Sequence, residues 1–264
     1  MRAAAVKHGK GVVSIPLDEA SRYGLVAVGH GRPASVTEDV ANRLVTAIAV
    51  GAFSPGERLP SERELATRLE VSRVTVRQAL QRVGELGLVA ARRGRNGGTF
   101  VTTQAWEDVA PAEARRTLES ELPRLKDLFD YRCLVEGLIA RTAAERRTRE
   151  QRAQLAEALS SFATTGEDMA LARAWDRRLH ALVCAAAGNP HLTALSAQLT
   201  AAATLGFGSE PYEQEFFATA LHEHEELVGA VVDGDPERAQ RTAQGHFALT
   251  YLTMERSLQR AAER

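Results

Sequence analysis

The chain has only two cysteines, Cys133 and Cys184. So few exclude a disulfide scaffold, and two reduced thiols make the cytoplasm the expected compartment. Long apolar runs are missing as well. No stretch reaches the roughly 18 residues of a membrane-crossing helix, so no membrane partner is expected. Lys7 and Lys10 are not followed by a continuous apolar stretch, so the start does not read as a signal peptide. No short-period repeat is present, and the net charge is only -1. What remains is a globular composition, 44% hydrophobic and 25% charged, on 264 residues, enough for two domains of ordinary size.

The small net charge conceals an asymmetry. Residues 1–101 hold 15 Lys/Arg against 9 Asp/Glu, and residues 102–264 hold 18 against 25. A basic N-terminal part beside an acidic remainder suggests a polyanion-binding head on a body that does not bind nucleic acid.

Residues 1–33 show no sustained helical period and read as an extension of uncertain structure. Over 36–50, Val40, Leu44 and Ile48 recur at helical spacing, and Gly51 with the Ser54-Pro55-Gly56 turn ends that helix. Ser61-Glu62-Arg63-Glu64 is a capping box that opens a helix through Leu69. Ser72 is a second N-cap, opening a helix through about Leu86, with only Glu70 and Val71 between the two. Leu88-Val89-Ala90, a basic Gly-rich tip at 92–98 and Thr99-Phe100-Val101 form a short β-ribbon. Two helices, a tight turn and a ribbon make a winged helix-turn-helix over 34–101. In its second helix Arg73 and Arg77 share one face, while Val76, Ala79, Leu80 and Val83 form the opposite, buried stripe. Such a cationic first turn suits the major groove, where arginine pairs with guanine, and Thr75 can reach a phosphate or a base edge.

The run from Pro55 to Ala66 (PGERLPSERELA), then Val71 to Leu80 (VSRVTVRQAL), then Gly87-Leu88-Val89 resembles the DNA-binding domain of the GntR family over about 36–101. By position, the resemblance implies DNA contacts at Arg63, Ser72, Arg73, Thr75, Arg77, Arg93 and Gly94. The commoner family pattern has Thr-Pro where this chain has Val74-Thr75, and Glu at Gln78. Those departures blur the base preference and leave the fold unaffected.

The polar stretch 102–117 reads as a linker, with some helical character allowed. From about 118 to the end, alanine and leucine dominate, proline is scarce and no strand pattern appears. Helices are expected over about 122–145, 148–164, 167–187, 190–205, 213–232 and 235–260. The fold class is therefore mainly α: a winged helix-turn-helix followed, over 118–264, by an all-helical bundle of six to seven helices. On these helices Asp176 and His180 are i, i+4 and point the same way. His224 falls in the core stripe of Leu221, Val228 and Val231, whereas His222 falls on the water-facing side. His246 has small helical neighbours, Thr242, Ala243 and Thr250. One carboxylate and three imidazoles converging in a bundle would suit a divalent transition metal, although each histidine could instead be a polar or core residue. Cys184 shares the face of His180 and reads as a small buried thiol.

Asp127-Leu128-Phe129-Asp130-Tyr131-Arg132-Cys133-Leu134-Val135-Glu136, Asp176-x-x-x-His180 followed by Gly188-Asn189-Pro190, His224 before Gly234-Asp235, and His246 together resemble the FCD ligand-binding domain of FadR-type GntR regulators over about 118–260. The resemblance implies metal ligands at Asp176, His180, His224 and His246. Zinc stands first, with nickel, manganese or iron as alternatives. It also implies a small organic acid beside the metal, with Arg132 and Asn189 as effector contacts. For Arg132 the alternative is an ion pair with Glu136.

These features lead to a homodimeric transcription regulator that reads a pseudo-palindromic double-stranded operator, repression being the usual family mode. A metal-dependent hydrolase with a fused head is the rival, because such a site can activate water. Against it, the C-terminal half has no evident nucleophile motif or Gly-rich cofactor loop, so no enzyme is expected. An effector-independent DNA-binding protein is the third reading, disfavoured by an interior polar site.

Overall fold

The computed structural model describes residues 35–95, 97–166, 168–208, 210 and 217–263. The expected extension over 1–33 lies outside the described residues. The first helix, α1 (Val36–Ala49), starts at Ser35, whose side chain accepts from the Glu38 amide. It buries Val40, Leu44 and Ile48, the stripe read from the sequence.

Helix α2 (Glu62–Arg68) carries the full capping box: Ser61 Oγ accepts from the Glu64 amide, and the Glu64 carboxylate accepts from the Ser61 amide at 2.8 Å. Glu70 takes the left-handed conformation (φ 55°), which turns the chain sharply into α3 (Arg73–Glu85). Ser72 caps α3 through the Thr75 amide at 3.0 Å, and Val76, Ala79, Leu80 and Val83 are buried as expected. Strands β1 (Val89–Arg92) and β2 (Gly98–Val101) pair antiparallel in the register Val89 to Val101 and Arg92 to Gly98. The chain before α2 lines up beside β2: the Leu59 amide donates to Thr99 O, and the Val101 amide to Glu57 O, both at 2.9 Å.

After a single turn, α4 (Trp106–Val109), the chain enters α5 (Pro111–Arg146). This helix begins at Pro111, not near 122 as the periodicity suggests, and it carries Pro123 in its interior. Ala114, Leu118, Leu122 and Leu125 are all buried, an apolar stripe that the surrounding arginines and glutamates mask in the sequence. The stretch expected as a linker is thus mostly helix, and Arg116 Nη2 ties it to Asn42 of α1 at 3.3 Å.

The remaining helices are α6 (Arg149–Ala163), α7 (Met169–Ala187), α8 (Pro190–Ala203), α9 (Phe217–Asp233) and α10 (Pro236–Ala262). They follow the expected order to within a few residues. Positions 213–216 of the expected 213–232 helix lie outside the described residues. Gly188 ends α7 at φ +64°, where a side chain would be strained, and Asn189 then caps α8. Helix α5 is the spine: it runs along α10 and also packs on α7, α8, α9 and α1. Ile139, Leu155, Phe162, Leu179, Leu199 and Val231 form the core between them. The fold is mainly α, a winged helix-turn-helix joined to an all-helical domain.

Leu65, fully buried beneath the capping box, is expected to dominate the stability of the N-terminal domain. Leu65→Ala should cost about 2–5 kcal/mol in urea unfolding. Val36→Ala, at a site 60% exposed, should stay within about 0.5 kcal/mol.

Candidate metal centre and adjoining cavity

Helix α7 presents Asp176 and His180 one turn apart, α9 presents His224, and α10 presents His246. Asp176 Oδ1 lies 3.1 Å from His224 Nε2 and 3.4 Å from His180 Nε2. His180 Nε2 is 3.4 Å from His224 Nε2 and 3.1 Å from His246 Nε2. One donor atom from each residue falls within 4.8 Å of all the others. Asp176 and His224 are buried almost completely, and Phe162 packs edge-on against the His224 ring at 4.7 Å.

Three imidazole nitrogens aimed at one point suit a cation there. Two neutral Nε2 lone pairs at hydrogen-bond distance repel, and a single proton can bridge only one such pair. A divalent ion accepts all three nitrogens and the carboxylate oxygen at once, and this donor set suits a borderline transition metal. The residues therefore fit a metal. Glu223, which the sequence did not single out, supports the arrangement: its carboxylate receives His246 Nδ1 at 2.9 Å, which leaves Nε2 directed inward. His222, on the other side of Glu223, is exposed as expected.

The electrostatics carry the same tension. Burial pushes the Asp176 carboxyl up, but the His180 and His224 rings outweigh it and hold it well below the usual range. Burial lowers His224 and drives His246 well below an ordinary imidazole. Burial also opposes the His180 charge, yet Asp176 overrides it and holds that ring above its usual value. Desolvation lifts Glu223 to about 7.

A cavity of about 790 Å³ opens beside the cluster. The helical domain contributes Arg132, Asp176, His180, Glu210 and Phe247 to its wall, and the winged domain contributes Phe53, Glu57, Arg58 and Arg68. Arg132 is 1% exposed and pairs with Glu210, not with Glu136. Glu136 instead accepts from Ser196 Oγ at 2.6 Å. The sequence offered Glu136 because it lies one turn away on the same helix, whereas Glu210 comes from a distant segment. Asn189 is not among the cavity residues; its Oδ1 accepts from the His191 amide at 2.9 Å as the cap of α8. Cys184 lines the cavity as a buried thiol that desolvation pushes up to about 11.

Arg173 joins the two domains. It sits on α7 one turn before Asp176, is 2% exposed, and forms an ion pair with Glu57 beside β2. Its Nη1 also reaches Gly51 O and Ser54 Oγ, each at 3.4 Å. Arg68 of α2 adds a second tie, donating to Phe207 O at 2.9 Å. Nothing in the periodicity pointed to either.

On the winged domain, Arg63, Ser72, Arg73 and Arg77 are exposed on α2 and α3, and Arg93 with Gly94 is exposed at the ribbon tip. Thr75 is half-buried and hydrogen-bonds Ser72 Oγ at 2.8 Å. Glu62 receives Arg77 through two hydrogen bonds, at 3.1 and 2.8 Å, and lies 3.9 Å from Arg73. That pairing lowers the Glu62 carboxyl and holds both arginines on one surface. No helix among the described residues is long and apolar enough to cross a membrane.

A winged helix-turn-helix braced against an all-helical domain that carries an interior polar site defines a class of protein, the two-domain DNA-binding transcription regulators. The chain belongs to the gntR family of bacterial regulatory proteins, matched over residues 36–101, and carries an FCD domain, matched over 127–249. It is a DNA-binding transcription regulator, not an enzyme. Similar proteins include the HTH-type transcriptional regulator RmpR of Mycobacterium gastri, 34% identical over 79% of this chain and 76% of that one. The HTH-type transcriptional repressor NanR of Salmonella newport is 31% identical over 80% and 82%. Among solved structures, Escherichia coli McbR/YncC aligns with 84% of this chain and 98% of its own at 18% identity and TM-score 0.45.

The Arg173–Glu57 bridge gives a direct test of the brace between domains. Arg173→Ala should cost about 3–5 kcal/mol, because it leaves a partly buried carboxylate without its cation. Adding Glu57→Gln should recover part of that loss in a double-mutant cycle read by urea unfolding.

Proposed function

We propose that the chain is a homodimeric repressor whose affinity for a pseudo-palindromic operator is set by a small organic acid bound beside a divalent metal ion, zinc foremost. One observation carries this reading. The three imidazoles and the Asp176 carboxylate converge at the wall of a cavity to which both domains contribute. The ion would be held by Asp176, His180, His224 and His246, and would supply a positive centre for an acid's carboxylate. Arg132 adds a second cation on the same wall.

Coupling to DNA follows from α7. Asp176 and Arg173 are one turn apart on the same helix, so a ligand that shifts the cluster also shifts the Arg173 grip on Glu57. Glu57 is fixed to β2 through its backbone, and β2 forms one side of the wing. A displacement of α7 would thus shift the wing and α3, which packs on β1. Repression is supported by the relative named a repressor. Dimerisation is supported by Tyr131, Leu134 and Leu138, exposed apolar side chains at i, i+3 and i+7 along α5.

The DNA contacts proposed are Arg63, Ser72, Arg73, Thr75 and Arg77 on the helices and Arg93 and Gly94 on the wing. Arg73→Ala or Arg77→Ala should each cost about 1–3 kcal/mol of specific binding in a gel-shift titration. Arg93→Ala should weaken binding evenly across sequences. A double Arg73/Arg77 variant that footprints the same operator with undiminished affinity would refute the assignment.

The metal site is tested by elemental analysis and melting. Chelation should lower the melting temperature, because an ion bound only by the folded state stabilises it. His224→Ala with His246→Ala should abolish both the metal and that response, whereas His222→Ala should change neither. Metal should also be lost on acidification. Protons compete for the same Nε2 atoms, and Asp176 favours the charged form of His180, so release should follow as pH falls. Unchanged metal content in the His224/His246 variant would contradict the reading.

A further inference from the structure

Arg132 is held rigidly. It projects from the middle of α5, is 1% exposed, and its guanidinium stacks 4.5 Å over the Phe247 ring, which in turn adjoins His180 at 4.7 Å. The group it faces is the chain's own Glu210. Arg132 Nη2 donates to Glu210 Oε1 at 2.5 Å, Nη1 donates to Oε2 at 3.3 Å, and the Thr250 hydroxyl donates to Oε2 at 3.0 Å. Thr200 Oγ1 accepts from Nη2 at 3.3 Å and steadies the fork. A planar guanidinium presenting two parallel donors, completed by a hydroxyl, is the arrangement that recognises a carboxylate.

The parts of this seat differ in how they are held. Arg132, Thr200 and Thr250 stand on three separate helices, α5, α8 and α10, which the core fixes. Glu210 lies in no helix or strand; it belongs to the connection between α8 and α9. Because Glu210 itself lies outside any helix or strand, its departure need not unwind one, while the guanidinium stays clamped on Phe247. A buried cation left behind in this way demands another anion. Glu210 also leaves the guanidinium incompletely used, since Arg132 Nε is buried without a hydrogen-bond partner among the described residues. An acid with a second oxygen next to its carboxylate has one more acceptor to offer.

We propose that Glu210 is a resident carboxylate in the anion seat formed by Arg132 and Thr250, and that an acid effector binds by taking its place. Glu210 is then a specificity-determining residue. It sets a threshold that a weakly held anion does not pass, and it selects for carboxylates that also gain from the neighbouring metal cluster or from Arg132 Nε. The occupied seat keeps the cavity wall near neutral in the absence of ligand. This inference rests on the reading of the cavity as an acid-binding site.

Acetate tests it by chemical rescue. Thermal melting of the full chain, purified with zinc, is followed against sodium acetate, with sodium chloride at equal ionic strength as the control. Three forms are compared: the natural sequence, Glu210→Ala, and Glu210→Ala with Arg132→Gln. In Glu210→Ala, acetate should restore the melting temperature saturably, with a midpoint about tenfold lower than in the natural sequence, where the resident carboxylate competes. The Arg132→Gln double variant should lose that response. Should Glu210→Ala fold only poorly, its recovery of folded protein on dilution from urea into acetate rather than chloride reads the same competition. Equal, Arg132-dependent acetate responses with and without Glu210 would overturn the displacement and leave the acid site standing. No acetate response beyond chloride in any form would overturn both.

Discussion

The structure depends on one electrostatic constraint: three imidazoles and a carboxylate share a buried point where helices α7, α9 and α10 meet. Hydrophobic packing alone would not bring these groups together, because each loses hydration on burial. Positive charge at its centre would stabilise the arrangement. Asp176 holds the His180 ring above its ordinary value against the effect of burial. A divalent ion would supply that positive charge fully and would cross-link three helices that all pack on α5. Glu223 and Phe162 set the His246 and His224 rings from outside the cluster.

Helix α7 turns this local constraint into a long-range one. It carries Arg173, Asp176, Arg177 and His180 on neighbouring turns, so one rigid element touches the winged domain, the cluster and the cavity. Burial, helped by the Arg68 and Arg173 charges, holds Arg177 below its ordinary value, and Asp176 opposes that effect. Both domains supply arginines to the cavity lining, Arg68 from the winged domain and Arg177 from the helical domain. An anion there would be attracted by both domains at once. The early start of α5 at Pro111 leaves little linker between the two domains.

The sequence disclosed what is local or strongly patterned. The caps at Ser61 and Ser72, the two-residue turn and the ribbon are written in adjacent residues, so the winged domain was legible almost residue by residue. The face assignment that separates His224 from His222 follows from the 3.6-residue period, and the structure buries one and exposes the other. Convergence of the four candidate ligands was suggested by family resemblance, since three helices cannot be docked from periodicity. What the sequence does not mark depends on contacts between distant segments. Glu210 lies 78 residues from Arg132, and Glu57 lies 116 from Arg173. Each is one glutamate among many, with no spacing to mark it. The periodicity places the start of α5 too late because its first turns are polar on most faces and Pro123 suggests a boundary, although only a narrow stripe is needed to dock it.

The central claim is that a metal ion occupies the point where Asp176, His180, His224 and His246 converge. Diffraction from crystals of the zinc-loaded protein, collected on both sides of the zinc absorption edge, tests it most directly. The account predicts a single strong anomalous difference peak bonded to Asp176 Oδ1 and to the three Nε2 atoms. The absence of a peak there, or a zinc ion held elsewhere while the four side chains keep their mutual hydrogen bonds, would contradict it.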